Sequence, residues 1–292
     1  MRSGFVSIIG RPNVGKSTLL NNIVNYHVAI TSDKAGTTRN IIEGIYNDKE
    51  SQIVFVDTPG INKPIDKLGK VLNKQSLSQQ KEVDCILFVV DAKGGLGRGD
   101  QEIIKNLNED IPTILVLNKI DTMKKEEIIN RIIEYKDLFN FSDIVPVSAK
   151  NGDNVKTLVD VVRNYLNDDI KYFKDDAVTS SSVRFMISEY VREKLFNHLE
   201  QEIPHAITCF TTGYEEKEKI VNVNVDIIVD RESLKKIIIG HNGEMLKNVG
   251  MESRKDIEKM LDKKVYLELY VKCIPNWRDK EFILKDLGFY EF

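Results

Sequence analysis

The chain has 292 residues, and this length favours about two domains. Hydrophobic residues make up 41% of it and charged residues 30%, with a formal net charge of -3, a composition typical of a cytosolic protein. The net charge excludes a generally basic nucleic-acid-binding protein, although it leaves room for a local basic site. No stretch approaches the roughly 18 to 20 consecutive apolar residues of a membrane-spanning helix. A strand-like segment begins at residue 5, so we expect no secretory signal peptide.

Short apolar segments alternate with helical stretches over the first 166 residues. The apolar segments, mostly continuous rather than alternating, are 5–9, 52–56, 85–90, 113–117 and 144–147. The helical stretches between and after them are 16–24, 67–80, 100–107, 126–139 and 155–166. Continuous apolar runs are typical of parallel strands that helices cover on both faces. The pattern therefore predicts a doubly wound α/β domain with a mostly parallel sheet over residues 1–168.

The composition changes after residue 168. Residues 169–182 are first acidic and then rich in Ser and Thr, without a sustained period, and we interpret them as a linker. Residues 183–292 then follow the order helix, strand, strand, helix, helix, strand and helix. Apolar residues alternate with mostly polar ones over 221–229 and over 265–271, which predicts two strands with one buried face each. We therefore expect a second, α+β domain over residues 183–292.

Residues 10–17, GRPNVGKS, match the pattern GxxxxGK[ST] directly after a predicted strand and directly before a predicted helix. In that context the backbone N–H groups of the loop and the helix N-terminus surround phosphate oxygens. We expect Lys16 to reach the β- and γ-phosphates and the Ser17 hydroxyl to bind Mg²⁺. The alternative, a chance glycine turn, does not account for the strand and the helix on either side. The loop residues predicted to bind the nucleotide are Gly10, Asn13, Val14, Gly15, Lys16, Ser17 and Thr18.

Two later motifs indicate which base the site recognises. The segment 118–121, NKID, follows an apolar strand, and the Asp121 carboxylate can accept the N1–H and N2–H₂ donors of guanine. Adenine has no such donor pair, so Asp121 favours GTP over ATP. Asn118 is expected to contact the base edge and brace neighbouring loops, the stem of Lys119 to lie along the ring, and the Ala149 N–H to reach guanine O6. The residues predicted to bind the base are Asn118, Lys119, Asp121, Ser148, Ala149 and Lys150.

Two further motifs complete the phosphate and metal side of the site. The segment 57–60, DTPG, ends a predicted strand, so Asp57 is expected to hold Mg²⁺ through a water and the Gly60 N–H to sense the γ-phosphate. The polar loop 31–40 supplies a hydroxyl for Mg²⁺ from Thr37 or Thr38, of which we favour Thr38. Any one of these motifs is weak support by itself. Five of them in the right order indicate a GTP-binding domain.

The motifs GRPNVGKS and DTPG resemble those of the translation-factor-related GTPases. Many GTPases position the attacking water with a glutamine directly after the DxxG glycine, and an arginine finger neutralises the developing charge. Here that position is Ile61, so we predict slow intrinsic hydrolysis, with the water positioned by the backbone, a partner or an ion. Arg39 is a candidate finger within the chain, but we favour a solvated arginine of the switch loop. The predicted catalytic residues are Lys16, Thr38, Gly60 and Asn13.

The resemblance also suggests a monovalent cation. In relatives with asparagine at the position of Asn13, that side chain helps to hold a potassium ion where the charge of the finger would lie. We therefore hypothesise that K⁺ stimulates hydrolysis. The alternative is that Asn13 only braces the loop.

In the second domain, two helical segments within 233–250 meet at the turn 240–243, GHNG. In KH modules such a GxxG loop clamps the backbone of about four nucleotides. The preceding isoleucine run, flanking lysines and type II order of elements support an RNA-binding KH domain, whereas a plain helix–helix turn is the alternative. Nine Lys and Arg against six Asp and Glu over 231–264 form a modest basic patch, so binding should be salt-sensitive and depend on base contacts too. The residues predicted to bind RNA are Lys235, Lys236, Ile239, Gly240, His241, Asn242, Gly243 and Lys247.

One GTPase domain followed by one type II KH domain resembles the Era family of bacterial GTPases. The likeness covers essentially the whole chain and includes the segment 3–21, DTPGINKP, EIPH at 202–205, GHNG, and the closing WR and LGF. The resemblance implies binding near the 3′ end of small-subunit (16S) ribosomal RNA and a role in small-subunit maturation. It implies GTP, GDP and Mg²⁺ as ligands, and a loose peripheral association with the inner face of the cell membrane. We expect a monomer, since no heptad pattern or exposed apolar face predicts a dimer.

Two other functions fit parts of the sequence. The chain could be a signalling GTPase that acts on a protein or membrane partner, with a structural KH-like domain, which the acidic balance favours. It could also be an RNA chaperone without turnover, but all the positions for phosphate, magnesium and base are present. A Gly→Asp change at Gly240 or Gly243 distinguishes an RNA-binding switch from a signalling GTPase, because the RNA-binding switch predicts lost RNA binding with GTP binding intact.

Overall fold

The computed structural model describes residues 1–32, 34, 36–60, 66–78, 83–200 and 203–289. The chain divides into two compact units, Met1–Pro64 with Gly69–Ser180, and Ile65–Leu68 with Ser181–Phe292. Within the described residues, none of the helices is long and apolar enough to cross a membrane.

The first unit is built on a sheet of strand order β2-β3-β1-β4-β5-β6. Its strands are β1 (Arg2–Ile9), β2 (Ile42–Asn47), β3 (Ser51–Asp57), β4 (Cys85–Asp91), β5 (Thr113–Asn118) and β6 (Asp143–Pro146). All neighbours are parallel except β2 and β3, which are antiparallel. The order of the strands reverses around β1, so the carboxyl ends of β1, β3 and β4 open a crevice in which doubly wound proteins bind ligands.

Among the described residues, four helices lie between these strands, namely α1 (Lys16–Val24), α2 (Lys67–Ser78), α3 (Arg98–Ile104) and α4 (Lys125–Lys136), and α5 (Val155–Arg163) follows β6. The predicted doubly wound architecture is confirmed. Residues 79–80, with which the predicted helix 67–80 ends, lie outside the described part of the chain. The helix α3 begins and ends earlier than the predicted stretch 100–107, because Gly97 caps it and the Asp100 carboxylate accepts the Gly97 N–H at 2.9 Å.

The strand β2 is absent from the sequence-based prediction. Its sequence, IEGIYN, has a glycine in the middle and lacks a regular apolar alternation. The glycine relieves crowding, since a Cβ atom at Gly44 would lie 2.5 Å from Leu20 Cδ1 and would displace that side chain. An edge strand that pairs with only one neighbour needs little apolar surface, and for that reason hydropathy does not reveal it.

The predicted linker 169–182 is bonded to the first unit over much of its length. The Gln52 Oε1 atom accepts the N–H groups of Tyr172 and Phe173 at 2.7 and 2.8 Å. The Ile45 N–H donates to Val178 O at 2.9 Å, so the segment also runs beside β2. Backbone hydrogen bonds along an edge strand require no apolar period, which explains why a polar sequence can be attached here.

The second unit contains α6 (Val183–His198), β7 (Ile207–Glu216), β8 (Ile220–Val229), α7 (Glu232–Ile239), α8 (Glu244–Leu261), β9 (Lys264–Cys273) and α9 (Glu281–Asp286). This is the predicted order. The strands lie in the order β7-β8-β9, with β7 antiparallel and β9 parallel to β8. The alternating valines of β8 are fully buried in a core with α6, α7 and α8. Trp277 is also fully buried and donates its Nε1–H to Ala206 O at 3.1 Å, so it packs the C-terminal segment onto this unit.

Candidate functional site

The loop between β1 and α1 adopts a conformation that requires glycine at two of its positions. Gly10 has φ of 153° and Gly15 has φ of 97°, and the intervening Asn13 also adopts a positive φ of 64°. A Cβ atom at Gly10 would collide with Val89 O, and one at Gly15 would collide with the side chain of Asn118. The N-terminus of α1 carries no side-chain cap. Its first amide groups can therefore bind an anion.

Lys16 is the cation of this loop, and its side chain is almost fully buried. Its Nζ donates to Gly10 O at 3.2 Å and to Arg11 O at 3.0 Å, both of them carbonyls of the same loop. Burial lowers the pKa of Lys16, while the charge of Asp57 opposes that shift. A buried ammonium beside neutral carbonyls is poorly compensated. A phosphate group would supply the missing negative charge.

Two hydroxyls and one carboxylate meet beside the loop. Ser17 Oγ donates to Asp57 Oδ2 at 2.6 Å and lies 2.9 Å from Thr38 Oγ1. The other oxygen, Asp57 Oδ1, is buried and has no hydrogen-bond partner among the described residues. Burial raises the pKa of Asp57 to about 6, against the charge of Lys16. Oxygen donors with an unsatisfied carboxylate fit Mg²⁺, a cation that prefers such ligands. Thr37 is oriented differently and donates its hydroxyl to Lys34 O at 2.6 Å.

Asn118 connects three loops at the carboxyl end of the sheet. Its Nδ2 donates to Val14 O at 2.8 Å, and its Oδ1 accepts the N–H groups of Lys119 at 2.8 Å and Ala149 at 2.9 Å. Asn118 therefore braces the phosphate loop against the segments 118–121 and 148–150. The Ala149 N–H, which we expected to face guanine O6, is bonded to Asn118.

The Asp121 carboxylate is oriented by Ser148. The buried Ser148 Oγ donates to Asp121 Oδ1 at 2.7 Å, which leaves Asp121 Oδ2 for another partner. Ser148 itself is positioned by the Asn151 N–H, which donates to its Oγ at 3.2 Å. Lys150 is exposed. The arrangement presents one carboxylate oxygen in a fixed direction, as recognition of a base edge requires.

Asp91, at the end of β4, is a site residue that the sequence-based prediction lacks. Lys119 Nζ donates to Asp91 Oδ2 at 2.8 Å and to Asn13 O at 2.7 Å. The Asp91 Oδ1 atom accepts the N–H groups of Lys93 and Gly94, each at 3.0 Å. Burial raises the pKa of Asp91, but the hydrogen bonds from Lys119 and Gly94 outweigh it and hold the pKa below its usual value. The signal in the sequence is an aspartate that ends a buried strand and precedes a glycine turn.

We predict that Asp91→Asn weakens the binding of GTP and GDP alike, by about three- to tenfold, and leaves kcat unchanged. The loss follows from a partly exposed, charge-assisted hydrogen bond to Lys119. The amide oxygen of the new asparagine can still accept the turn N–H groups, so the fold should persist. Equilibrium titration with a fluorescent GDP analogue measures the effect. Asp137→Asn, at a carboxylate whose side chain is 81% exposed, is the control, and equal affinities in the two variants would contradict the role of Asp91.

Arg11 anchors the phosphate loop to the start of α3. Its Nε donates to Asp100 Oδ1 at 2.8 Å, and Asp100 is fully buried. The same carboxylate caps α3 through the Gly97 N–H. Arg11 is therefore held at two places, since its carbonyl accepts a hydrogen bond from Lys16 and its side chain donates one to Asp100.

The γ-phosphate side of the site is partly described. A Cβ atom at Gly60 would lie 2.9 Å from Pro12 N, so the DTPG turn lies directly against the phosphate loop. Ile61, on which the prediction of slow hydrolysis depends, lies outside the described residues. The expectation that Arg39 is solvated is wrong, because only 4% of it is exposed.

The GHNG turn of the second unit connects α7 to α8 through three residues with positive φ: Gly240 (74°), Asn242 (50°) and Gly243 (77°). A Cβ atom at Gly240 would lie 2.6 Å from Met245 Cβ, whereas nothing lies within 4 Å of one at Gly243. Gly240 is therefore required by the fold, and Gly243 faces open space. His241 and Asn242 between them are exposed.

Cations and an apolar residue flank this turn. Lys236 and Lys247 are exposed, while Lys235 and Ile239 are half-buried. The basic residues farther along are partly neutralised, since Arg254 and Lys264 lie 4.0 and 3.7 Å from Glu258. The exposed lysines that flank the turn thus place positive charge within reach of a nucleic-acid backbone.

Comparisons with known proteins match both units of the chain. The family model of a 50S ribosome-binding GTPase matches residues 5–119, and that of the KH domain matches residues 202–278. A crystal structure of an Aquifex aeolicus Era variant with GDP and AlF4⁻ is 38% identical, with 99% of each chain covered and a TM-score of 0.96. A structure of Era with MgGDPNP and nucleotides 1506-1542 of 16S ribosomal RNA has the same identity, coverage and TM-score. Because this likeness spans both units, the chain belongs to the Era family of GTPases.

Proposed function

We propose that this protein is a GTP-hydrolysing switch that binds the 3′ region of 16S ribosomal RNA and assists assembly and maturation of the small ribosomal subunit. The observation that carries the proposal is the full-length likeness to an Era structure that holds MgGDPNP and nucleotides 1506-1542 of 16S ribosomal RNA. Such a complex needs a group of residues that binds the nucleotide and another that binds RNA, and this chain has candidates for both. One is the phosphate loop with its metal donors, and the other is the GHNG turn with its lysines.

In this proposal, the phosphate loop holds GTP through Gly10, Asn13, Val14, Gly15, Lys16, Ser17 and Thr18. Ser17, Thr38 and, through a water, Asp57 would hold Mg²⁺, which when bound neutralises charge on the phosphate oxygens. Lys16 offsets charge at the β- and γ-phosphates, and the Gly60 N–H orients the γ-phosphate. Support comes from the buried Lys16 ammonium, which among the described residues donates to the two carbonyl oxygens of its own loop. It also comes from Asp57 Oδ1, which has no hydrogen-bond partner in the described part of the chain.

Base recognition is assigned to the groups at the ends of β5 and β6. Asp121 accepts the two guanine donors, and Ser148 keeps its carboxylate in place. Lys119 extends along the ring between Asn13 and Asp91. Asn118 and Ala149, which are hydrogen-bonded to each other, form the floor of the guanine pocket. Lys150 lies at the exposed rim of this pocket.

We predict that hydrolysis is faster in KCl than in NaCl at equal ionic strength. The reason is that a potassium ion held by Asn13 would place positive charge where an arginine finger acts in other GTPases. Asn13→Gly, which tolerates the positive φ of 64° at this position but lacks the side chain, should remove the difference between the two salts. Phosphate release under single-turnover conditions is the measurement. Equal hydrolysis rates in the two salts would contradict stimulation by K⁺ and indicate that Asn13 only braces the loop.

The test of the proposed function is RNA affinity at fixed salt, with a non-hydrolysable GTP analogue and with GDP. The probe is the 3′-terminal segment of 16S ribosomal RNA, and a scrambled oligonucleotide is the control. We expect sequence-selective binding that tightens with the GTP analogue, and by linkage RNA should tighten the binding of the analogue equally. Absence of selective binding in both states would favour the signalling GTPase with a structural KH-like domain.

We also propose that the protein acts as a monomer in the cytoplasm and associates peripherally with the inner face of the cell membrane. The membrane part derives from the family resemblance. Sedimentation equilibrium tests the monomer, and co-sedimentation with anionic lipid vesicles tests the association.

A further inference from the structure

The outer face of the β7-β8-β9 sheet carries an unusual set of exposed side chains. The helices α6, α7 and α8 pack on the opposite face, which contains Val221, Val223 and Val225. On the outer face, Phe210 is 41% exposed, Tyr266 55% and Tyr270 47%. Large aromatic side chains grouped on one exposed face are typical of an interaction surface.

The strand register places two of these rings on either side of a carboxylate. Phe210 pairs with Asp226 on one side, and Asp226 pairs with Tyr270 on the other. Neighbouring strands lie about 4.8 Å apart, so the Cα atoms of Phe210 and Tyr270 are about 10 Å apart with Asp226 between them. The Asp226 residue is only 7% exposed, and its Oδ2 accepts a hydrogen bond from Lys272 Nζ at 2.5 Å. A carboxylate flanked by two aromatic side chains already holds an ammonium group of this chain.

A second carboxylate orders the tyrosines. Tyr266 and Tyr270 donate their hydroxyls to Glu268 Oε1 and Oε2, each at 3.1 Å. The three residues alternate along β9, so they lie on the same face. Both phenol hydroxyls are therefore hydrogen-bonded to the same carboxylate, that of Glu268.

The chemistry of this face favours a cation rather than a phosphate. Three carboxylates lie among the aromatic rings, those of Asp226, Glu268 and Glu215. Asp226 is paired with Lys272 and Glu215 with Lys217, while Glu268 is bonded to the two tyrosine hydroxyls. Carboxylates repel a nucleic-acid backbone, whereas aromatic faces and carboxylates both attract a guanidinium. Arginine suits the site better than lysine, because its planar group can stack on a ring while it pairs with a carboxylate.

We propose that the outer face of this sheet is a docking surface for an arginine-rich polypeptide segment of a partner protein, with one arginine between Phe210 and Tyr270. The arginine displaces Lys272 from Asp226, and the exposed Lys272 side chain returns to water at little cost because 57% of it is already exposed. The surface is distinct from the GHNG turn, so the proposal does not depend on RNA binding.

The experiment measures the anisotropy of a fluorescent peptide with four Arg-Ser repeats, at fixed salt, against the full-length protein. The double variant Phe210→Ala, Tyr270→Ala should bind it about 5- to 30-fold more weakly, since two ring–cation contacts are lost. Phe282→Ala, at an aromatic residue of α9 that is 61% exposed, is the matched control and should bind normally. A Lys-Ser peptide should bind the wild type several-fold more weakly than the arginine peptide. Thermal unfolding followed by circular dichroism verifies that the variants fold, and GTP hydrolysis in the first unit should be the same in all of them.

Equal peptide affinity in the double variant and the Phe282→Ala control would overturn the proposal. So would a single-stranded oligonucleotide that binds the wild type and loses affinity in the double variant, because the face would then bind RNA. If the double variant fails to fold, amide chemical shifts of the wild type titrated with the arginine peptide decide the matter. Shifts confined to β7, β8 and β9 support the surface, and shifts elsewhere contradict it.

Discussion

Asp121→Asn is expected to weaken the binding of GTP by about 10²- to 10⁴-fold and to create a preference for xanthosine triphosphate. Two hydrogen bonds to a charged group are lost, each of which contributes about 1.5 to 3 kcal/mol. The amide that replaces the carboxylate also places a donor against the guanine donors. A site built for particular donors rejects a mismatched partner by orders of magnitude, because the buried groups remain unpaired.

The direction of the new side chain follows from Ser148. Its hydroxyl donates to Asp121 Oδ1 at 2.7 Å and should keep bonding to the amide oxygen of the asparagine. The Nδ2 group then takes the position of Asp121 Oδ2 and can donate to the carbonyl at C2 of xanthine. Competition of GTP and xanthosine triphosphate against a labelled nucleotide measures the exchange. A variant that loses GTP without gaining xanthosine triphosphate would indicate a collapsed pocket and contradict the assignment of Asp121.

Gly243→Asp is expected to weaken RNA binding by about tenfold or more, with GTP binding and hydrolysis intact. A carboxylate near the phosphates costs about 1 to 4 kcal/mol at a separation of 4 Å, depending on the local dielectric. The fold should tolerate the change, because nothing lies within 4 Å of the new Cβ atom and aspartate adopts positive φ more readily than most residues. Gly240→Asp is a poor choice, since its Cβ atom would lie 2.6 Å from Met245 Cβ.

Two controls separate charge from backbone strain. Gly243→Asn has the same shape and the same tolerance of positive φ but no charge, so it should retain most of the RNA affinity. Gly288→Asp introduces the same residue at another glycine with positive φ, 78°, and open space around it, and should bind RNA normally. If Gly243→Asp binds RNA as tightly as Gly243→Asn at low salt, the turn does not contact phosphates.

Recognition of the two domains required only the sequence, since each signal is local. A phosphate loop needs glycines at fixed positions, a lysine and a hydroxyl within eight consecutive residues, because one turn of backbone must surround a phosphate. Continuous apolar strands predicted the parallel sheet, and alternating valines predicted the one-sided sheet of the second unit. In each case the property that determines structure lies within about ten neighbouring residues.

The remaining features depend on residues that are far apart in the chain. The bond between Asp91 and Lys119, the contact of Gln52 with residues 172–173 and the burial of Arg39 arise only when the sheet brings those segments together. The outer face with Phe210 and Tyr270 likewise exists only in the register of three strands. The sequence by itself determined the fold class, the Era family and the residues that are candidates to bind GTP and RNA. Only the tertiary structure decided which side chains brace one another, because hydrogen bonds and strand register depend on distances that sequence spacing does not contain.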